Sequence, residues 1–344
     1  MPDRPRRILI IRRRYLGDIV LLGSLLRNLR LHWPDAHLAV LVEPRFVDLL
    51  ALNPDVDQAV PLPQSATQWP GFLRRLRRER FTHVLNLDNT EKTAVIARWT
   101  GAPIRVALHH GGYRLKFRPL YTNSVRDDDA RHEANPITEY YLRALEPLGV
   151  PVVTREIRLE PPAEEVAELQ RFVGASERVL LVHPGSRSPM RVWPAERFAA
   201  LIDYAQDELG AQVILAGGPA DEAVLTEIRR HVGTHLLALP GPLPIARFAA
   251  LARISHALVC HDSGPMHVAA AVGTPVIALY GSQNATLFQP MGPNHTLLQP
   301  PLPCRTCVAP ERCVPADSYH NLCVQNISLE RVREAVRARL TAKR

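Results

Sequence analysis

The feature that most constrains this chain is an alternation of strand and helix patterns that runs twice. Ile8-Leu9-Ile10-Ile11 is a short apolar run bounded by arginines, the pattern of a strand buried on both faces. Ile19, Leu22, Leu26 and Leu29 follow at helical spacing and stop before Pro34. The same reading predicts strands over 37–42, 56–62, 82–87 and 104–108, with helices over 46–52, 69–80 and 91–99 between them. Residues 109–134 read as an irregular polar loop over a cleft, and 136–148 as a helix ending at Gly149. Pro151, Pro161 and Pro162 bracket a linker. The alternation then restarts. Strands are expected over 178–182, 212–215, 236–239, 257–260 and 275–279, the last clear one. Helices are expected after Trp193-Pro194 and over 221–232, 244–253 and 265–272. A final helix over 328–340 carries Leu329, Val332, Val336 and Leu340 on one stripe. Strands that alternate with helices imply parallel sheets covered on both faces, so the fold class is α/β. The expected lobes are 1–155 and 156–325, with 326–344 as a closing helix. Ligands of such sheets sit at the carboxyl ends of the strands.

Four loops at predicted strand ends hold the chemistry. Asp18 follows Gly17 at the turn from the first strand into its helix. An Asp there is an ordinary helix cap. It is equally a carboxylate placed to act as a general base. His183-Pro184-Gly185-Ser186-Arg187, with Arg191 downstream, offers an amide, a hydroxyl and guanidinium groups to phosphate oxygens, or is a plain turn. Gly217-Gly218-Pro219-Ala220-Asp221-Glu222 carries an acidic pair suited to ribose hydroxyls or a base amine, or is turn punctuation. In His261-Asp262-Ser263-Gly264-Pro265-Met266-His267, Ser263 and Gly264 open a helix whose first amides are unpaired and partly positive. His267 lies in reach of an anion held there. Ala269, Ala270 and Ala271 let that helix approach the sheet closely.

Other classes lack their signatures. No GxxxxGK[ST], HExxH or GxGxxG after the first strand is present, which disfavours P-loop ATPases, zincins and standard dinucleotide oxidoreductases. No segment reads as membrane-spanning or as a signal peptide, so a cytoplasmic protein is expected. Cys304, Cys307, Cys313 and Cys323 are spaced C-x2-C-x5-C-x9-C, compatible with a structural zinc or iron–sulfur site or with reduced cysteines in a packed loop.

The net charge is +8, with 42 Lys+Arg against 34 Asp+Glu. Only Lys92, Lys116 and Lys343 are lysines, a bias that genome composition explains. Two arginine clusters, Arg13 and Arg14 among the first 30 residues and Arg74, Arg75, Arg77 and Arg78 on one helix, both fall in the first lobe. They are a solvated face or a surface for a polyanion such as an anionic lipid or phosphorylated glycan. They lack the interleaved aromatics of nucleic-acid binders, so no nucleic-acid partner is expected.

At these loops the chain resembles glycosyltransferase family 9, the ADP-heptose:lipopolysaccharide heptosyltransferases. The resemblance covers nearly the whole chain. It runs through Leu16-Gly17-Asp18, the HPGSR segment with Arg191-Val192-Trp193-Pro194, the AGGPADE loop at 216–222 and HDSGPMHVAAA at 261–271. The late cysteine cluster and the helix after it also match many members. The resemblance implies a GT-B fold of two Rossmann-like lobes, with the last helix crossing back to the first. It implies an inverting, metal-independent transferase, peripheral on the cytoplasmic face of the inner membrane. The first lobe would hold the anionic inner-core acceptor and the second the ADP-heptose. Asp18 would be the general base. Ser186, Arg187 and Arg191 would bind the diphosphate. Asp262, Ser263, Gly264 and His267 would grip diphosphate and heptose, and Glu222 the nucleoside. The family often carries Lys where Arg191 stands, a change of geometry that bears on the donor. A GT-B transferase of another nucleotide-sugar and a non-catalytic binder of nucleotide-sugar or lipopolysaccharide fit the same residues.

Overall fold

The computed structural model describes residues 6–111, 115, 117–174, 176–186, 191–239, 243–281, 283–300 and 323–342. The chain divides into two compact units, Met1–Arg158 and Leu159–Arg344.

In the first unit the elements run β1 (Arg7–Ile11), α1 (Leu16–Leu21), α2 (Gly23–His32), β2 (His37–Val42), α3 (Val47–Leu50), β3 (Gln58–Pro61), α4 (Trp69–Arg78), β4 (His83–Asn86) and α5 (Glu91–Trp99). Then come β5 (Ile104–His110), β6 (Asn123–Asp127), α6 (Asp129–Ala134) and α7 (Ile137–Leu142). The six strands are parallel, in the order β3-β2-β1-β4-β5-β6. Ile8, Leu9, Ile10 and Ile11 are fully buried. Burying four such side chains is worth roughly 6–12 kcal/mol before chain entropy is set against it, so this central strand anchors the unit.

The 109–134 segment is more regular than expected. β6 is an edge strand with one neighbour, and only Val125 and Asp127 of its five residues are buried. A strand so placed carries no continuous apolar run to betray it. Asp128 caps α6 by accepting from the amides of Ala130 and Arg131 at 3.0 and 3.2 Å. After α7 the chain tightens into a 3-10 turn, Arg143–Leu148, which ends at Gly149 in the left-handed conformation at φ 65°. Glycine takes that conformation at no steric cost.

The second unit runs α8 (Ala163–Val173), β7 (Val179–His183), α9 (Ala195–Asp207), β8 (Gln212–Leu215), α10 (Glu222–His231), α11 (Ile245–Ile254), β9 (Ala257–His261), α12 (Gly264–Ala271), β10 (Val276–Leu279), β11 (Thr296–Leu298) and α13 (Leu329–Thr341). Its parallel sheet is ordered β11-β10-β9-β7-β8. Two expectations change. Residues 236–239 are only half-buried or exposed and join no sheet. The short β11 adds an edge beyond β10. The closing helix packs on the second unit's core. Val332, Val336 and Leu340 pack with Phe198, Ile202 and Ile277, because its apolar stripe faces α9 and β9–β11. Among the described residues no helix is long and apolar enough to cross a membrane.

Candidate active site

Each sheet has one point where the strand order reverses, and ligands of open α/β sheets bind outside the carboxyl ends of the strands there. In the first unit it lies between β1 and β4. The chain leaves β1 into Arg12 and Arg13 and leaves β4 toward Asp88. Asp18 is the third residue of α1. Its Oδ2 accepts from the Tyr15 amide at 2.9 Å, the helix-capping role expected of such an Asp. The same carboxylate does more than cap. Oδ1 accepts from Nη2 of Arg12 and from the hydroxyl of Tyr141, each at 2.7 Å. Arg12 also donates to the Leu87 carbonyl at 3.0 Å and stands 3.7 Å from Asp88. Asp88 is paired with Arg13. Two carboxylates and two guanidinium groups therefore alternate across the switch point. Burial alone opposes ionisation of Asp18, but Arg12, the Tyr15 amide and the Tyr141 hydroxyl outweigh it and hold the carboxyl below its ordinary pKa.

On the same sheet end, the His110 and His132 rings stack at 4.5 Å and 4°, with Tyr140 edge-on to both. Burial and the neighbouring His110 push the His132 pKa down, against the pull of Asp127, Asp129 and Glu133.

In the second unit the reversal lies between β7 and β9, whose last residues are His183 and His261. The amide of Trp193 donates to Nε2 of His261 at 2.9 Å. The Trp193 ring is fully buried and its indole N–H donates to the Ile327 carbonyl at 2.9 Å. These bonds pin the segment after β7 to the end of β9 and to the turn before α13. Burial, and His183 beside it, push the His261 pKa down to about 3. The loop after β8 reaches the same place. Asp221 accepts from the Gly218 amide at 2.8 Å and stands 3.8 Å from Nε2 of His183. It fills the space where a Cβ on Gly185 would lie 2.2 Å from its oxygen. Gly185 is thus required by close approach.

Arg191 lies 3.7 Å from Asp262. Ser263 precedes α12 and donates to the His261 carbonyl at 3.2 Å. Its side chain caps no amide of α12; Pro265 has no N–H and the Met266 amide donates to the Ser263 carbonyl at 3.2 Å, so the first turn offers a ligand the Gly264 amide. His267 is buried one turn into this helix. Ser186, Arg191, Asp262, Ser263, Gly264 and His267 thus follow two strands that are neighbours in the sheet. Arg187 lies outside the described residues. Glu222 is apart from this set, exposed at the start of α10 and paired with Arg229 at 2.9 Å. Asp221, its neighbour, turns toward His183 instead.

The arginines of the two clusters have different local partners. Arg13 is tied to Asp88, and Arg14 lies over the Tyr15 ring at 5.1 Å. On α4, Arg75 lines a groove with Pro44 and Phe72, and Arg77 lines another of about 570 Å³ with Val95, Arg98, Trp99 and Leu120. Cys304, Cys307 and Cys313 lie outside the described residues, and Cys323 is buried. Among the described residues no three His, Cys, Asp or Glu are placed to hold a metal ion, and nothing supports the zinc or iron–sulfur expectation.

Arg12, Asp88 and Tyr141 were missed by sequence reasoning, and Asp221 was read only as one of the acidic pair with Glu222. Strand-end position alone signals Arg12 and Asp88. No local signal marks Tyr141.

Comparison with known proteins places these features. Residues 70–315 match the model of glycosyltransferase family 9 (heptosyltransferase). Lipopolysaccharide heptosyltransferase 2 of Escherichia coli (strain K12) is 29% identical over 304 residues, covering 83% of this chain and 85% of that protein. The crystal structure of a family 9 glycosyl transferase from Veillonella parvula DSM 2008 superposes with a TM-score of 0.83 at 26% identity, covering 99% of this chain and 98% of that one. The structure of E. coli ADP-heptose lipopolysaccharide heptosyltransferase II gives 0.77 at 25% identity, covering 97% and 98%. The fold is GT-B.

Proposed function

The chain belongs to glycosyltransferase family 9 and is a glycosyltransferase, and from that premise we propose that it moves heptose from ADP-heptose to the inner core of lipopolysaccharide. The observation that carries the mechanism is the Asp18 carboxylate at the switch point of the first sheet, bonded to Arg12, Tyr141 and the Tyr15 amide. In this reading the first unit takes the acceptor and the second the donor. Ser186, Arg187, Arg191, Asp262, Ser263, Gly264 and His267 hold the diphosphate and heptose, and Glu222 contacts the nucleoside.

Asp18 accepts the proton of an acceptor hydroxyl. That oxygen forms a bond to the anomeric carbon from the face opposite the diphosphate. The bond from that carbon to ADP breaks and its electron pair leaves with ADP, so the configuration inverts. The charge gathering on ADP is met by the Gly264 amide at the start of α12, Arg191 and His267, with no metal taking part. Arg13, Arg14, Arg74, Arg75, Arg77 and Arg78 contact the anionic acceptor and the cytoplasmic face of the inner membrane that bears it.

Incubation with ADP-heptose and defined inner-core acceptors, read by mass spectrometry, tests the reading. A heptose added to the acceptor supports it. Transfer only from another nucleotide-sugar, or donor binding with no transfer, overturns it.

A further inference from the structure

We propose that Tyr141 is a positioning residue for Asp18: with Arg12 it occupies Oδ1 of the carboxylate and leaves Oδ2 as the edge that takes the acceptor's proton. This rests on the reading of Asp18 as the base.

A carboxylate has about four lone-pair sites, two on each oxygen. Oδ1 accepts two bonds, from Arg12 and from Tyr141, both at 2.7 Å. Oδ2 accepts one, from the Tyr15 amide at 2.9 Å, and keeps one site. The donors thus make the two oxygens inequivalent. Tyr141 is fully buried on α7, 123 residues from Asp18 in sequence. Its ring lies 5.5 Å from the Arg12 guanidinium and 5.9 Å from the Tyr140 ring.

Burial raises its phenol far above the ordinary pKa, so it stays a donor at every working pH. The charged and titratable neighbours of Asp18 are then Arg12 and Tyr141, with Asp88 acting through Arg12 and Tyr140 behind Tyr141. Stability gives no reason for such a pair. A buried polar pair replaced by apolar side chains of like volume is commonly neutral or better.

The experiment follows the Asp18 carboxyl itself. In protein labelled with 13C at aspartate carboxyls, the Asp18 resonance is identified by its loss in Asp18→Asn and titrated. Tyr141→Phe is expected to raise its midpoint by about one pH unit. Protein with 3-fluorotyrosine at 141, a more acidic and stronger donor with the same ring, is expected to lower it. Transfer by Tyr141→Phe is expected to lose roughly 10-fold in kcat with little change in donor KM, and its acid limb to move upward. Should Tyr141→Phe fail to fold, the fluorotyrosine protein decides. A midpoint unmoved by either change overturns the role of Tyr141. Full turnover by Asp18→Asn overturns instead the reading of Asp18 as base.

Discussion

The main-chain amide of Trp193 donates to Nε2 of His261, 68 residues away in sequence. The bond joins the loop after β7 to the end of β9 and fixes the tautomer, since Nε2 must be the unprotonated nitrogen. A protonated His261 would lose this bond while fully buried beside His183.

Stability should therefore fall in mild acid. In the unfolded chain the His261 imidazole takes a proton near pH 6.5, and in the folded protein only near 3. Between those values the unfolded state binds more protons, so its contribution is full above 6.5 and drains as pH falls. The loss is up to ~1.4 kcal/mol per pH unit from this group. Melting midpoints at pH 7.5 and 5.0 check it, and His261→Gln should show a flatter dependence on pH.

Asp18→Asn keeps the size of the side chain and removes its basicity. It should fold, bind ADP like the parent, and lose ~10²–10⁴-fold in transfer rate. Because Asp18 is held below its ordinary pKa, the acid limb of kcat/KM that it governs should lie below the usual carboxylate range. Single-turnover kinetics and calorimetry with ADP measure both effects.

Gly185→Ala places a methyl where Asp221 sits, 2.2 Å from its oxygen. The carboxylate must swing away from His183, and ADP affinity should weaken ~10-fold. Asp221→Ala in the same chain removes the clash. Calorimetry on the two single variants and the double variant should show recovery in the double, and equal loss in all three would count against steric coupling.

Exhaustive dialysis against a chelator should leave transfer unchanged if Arg191, His267 and the Gly264 amide meet the charge on ADP. Loss of activity restored by magnesium or manganese would assign that task to a metal.

Periodicity along the chain was enough to find the two α/β units, because a strand buried on both faces must be apolar throughout, as Ile8–Ile11 is, and its covering helix must repeat every three or four residues. It was enough, too, to put Asp18, Ser186 and the 261–267 loop after strand ends, where such folds expose polar groups. It failed at β6, whose exposed edge has no apolar run, and at α8, which starts directly after Pro162.

The tertiary structure decided which of those turns matter and what surrounds them. Parallel pairing puts β1 beside β4 and β7 beside β9. Those choices, made by contacts distant in sequence, bring Arg12 to Asp88 and Trp193 to His261, and the pairing of β8 with β7 brings Asp221 to His183. Tyr141 reaches Asp18 only because α7 folds back over the carboxyl end of the first sheet. An isolated Asp-containing turn is a helix cap by local chemistry alone. A buried carboxylate with one oxygen filled by two donors is a different object, and packing between remote segments is what makes it.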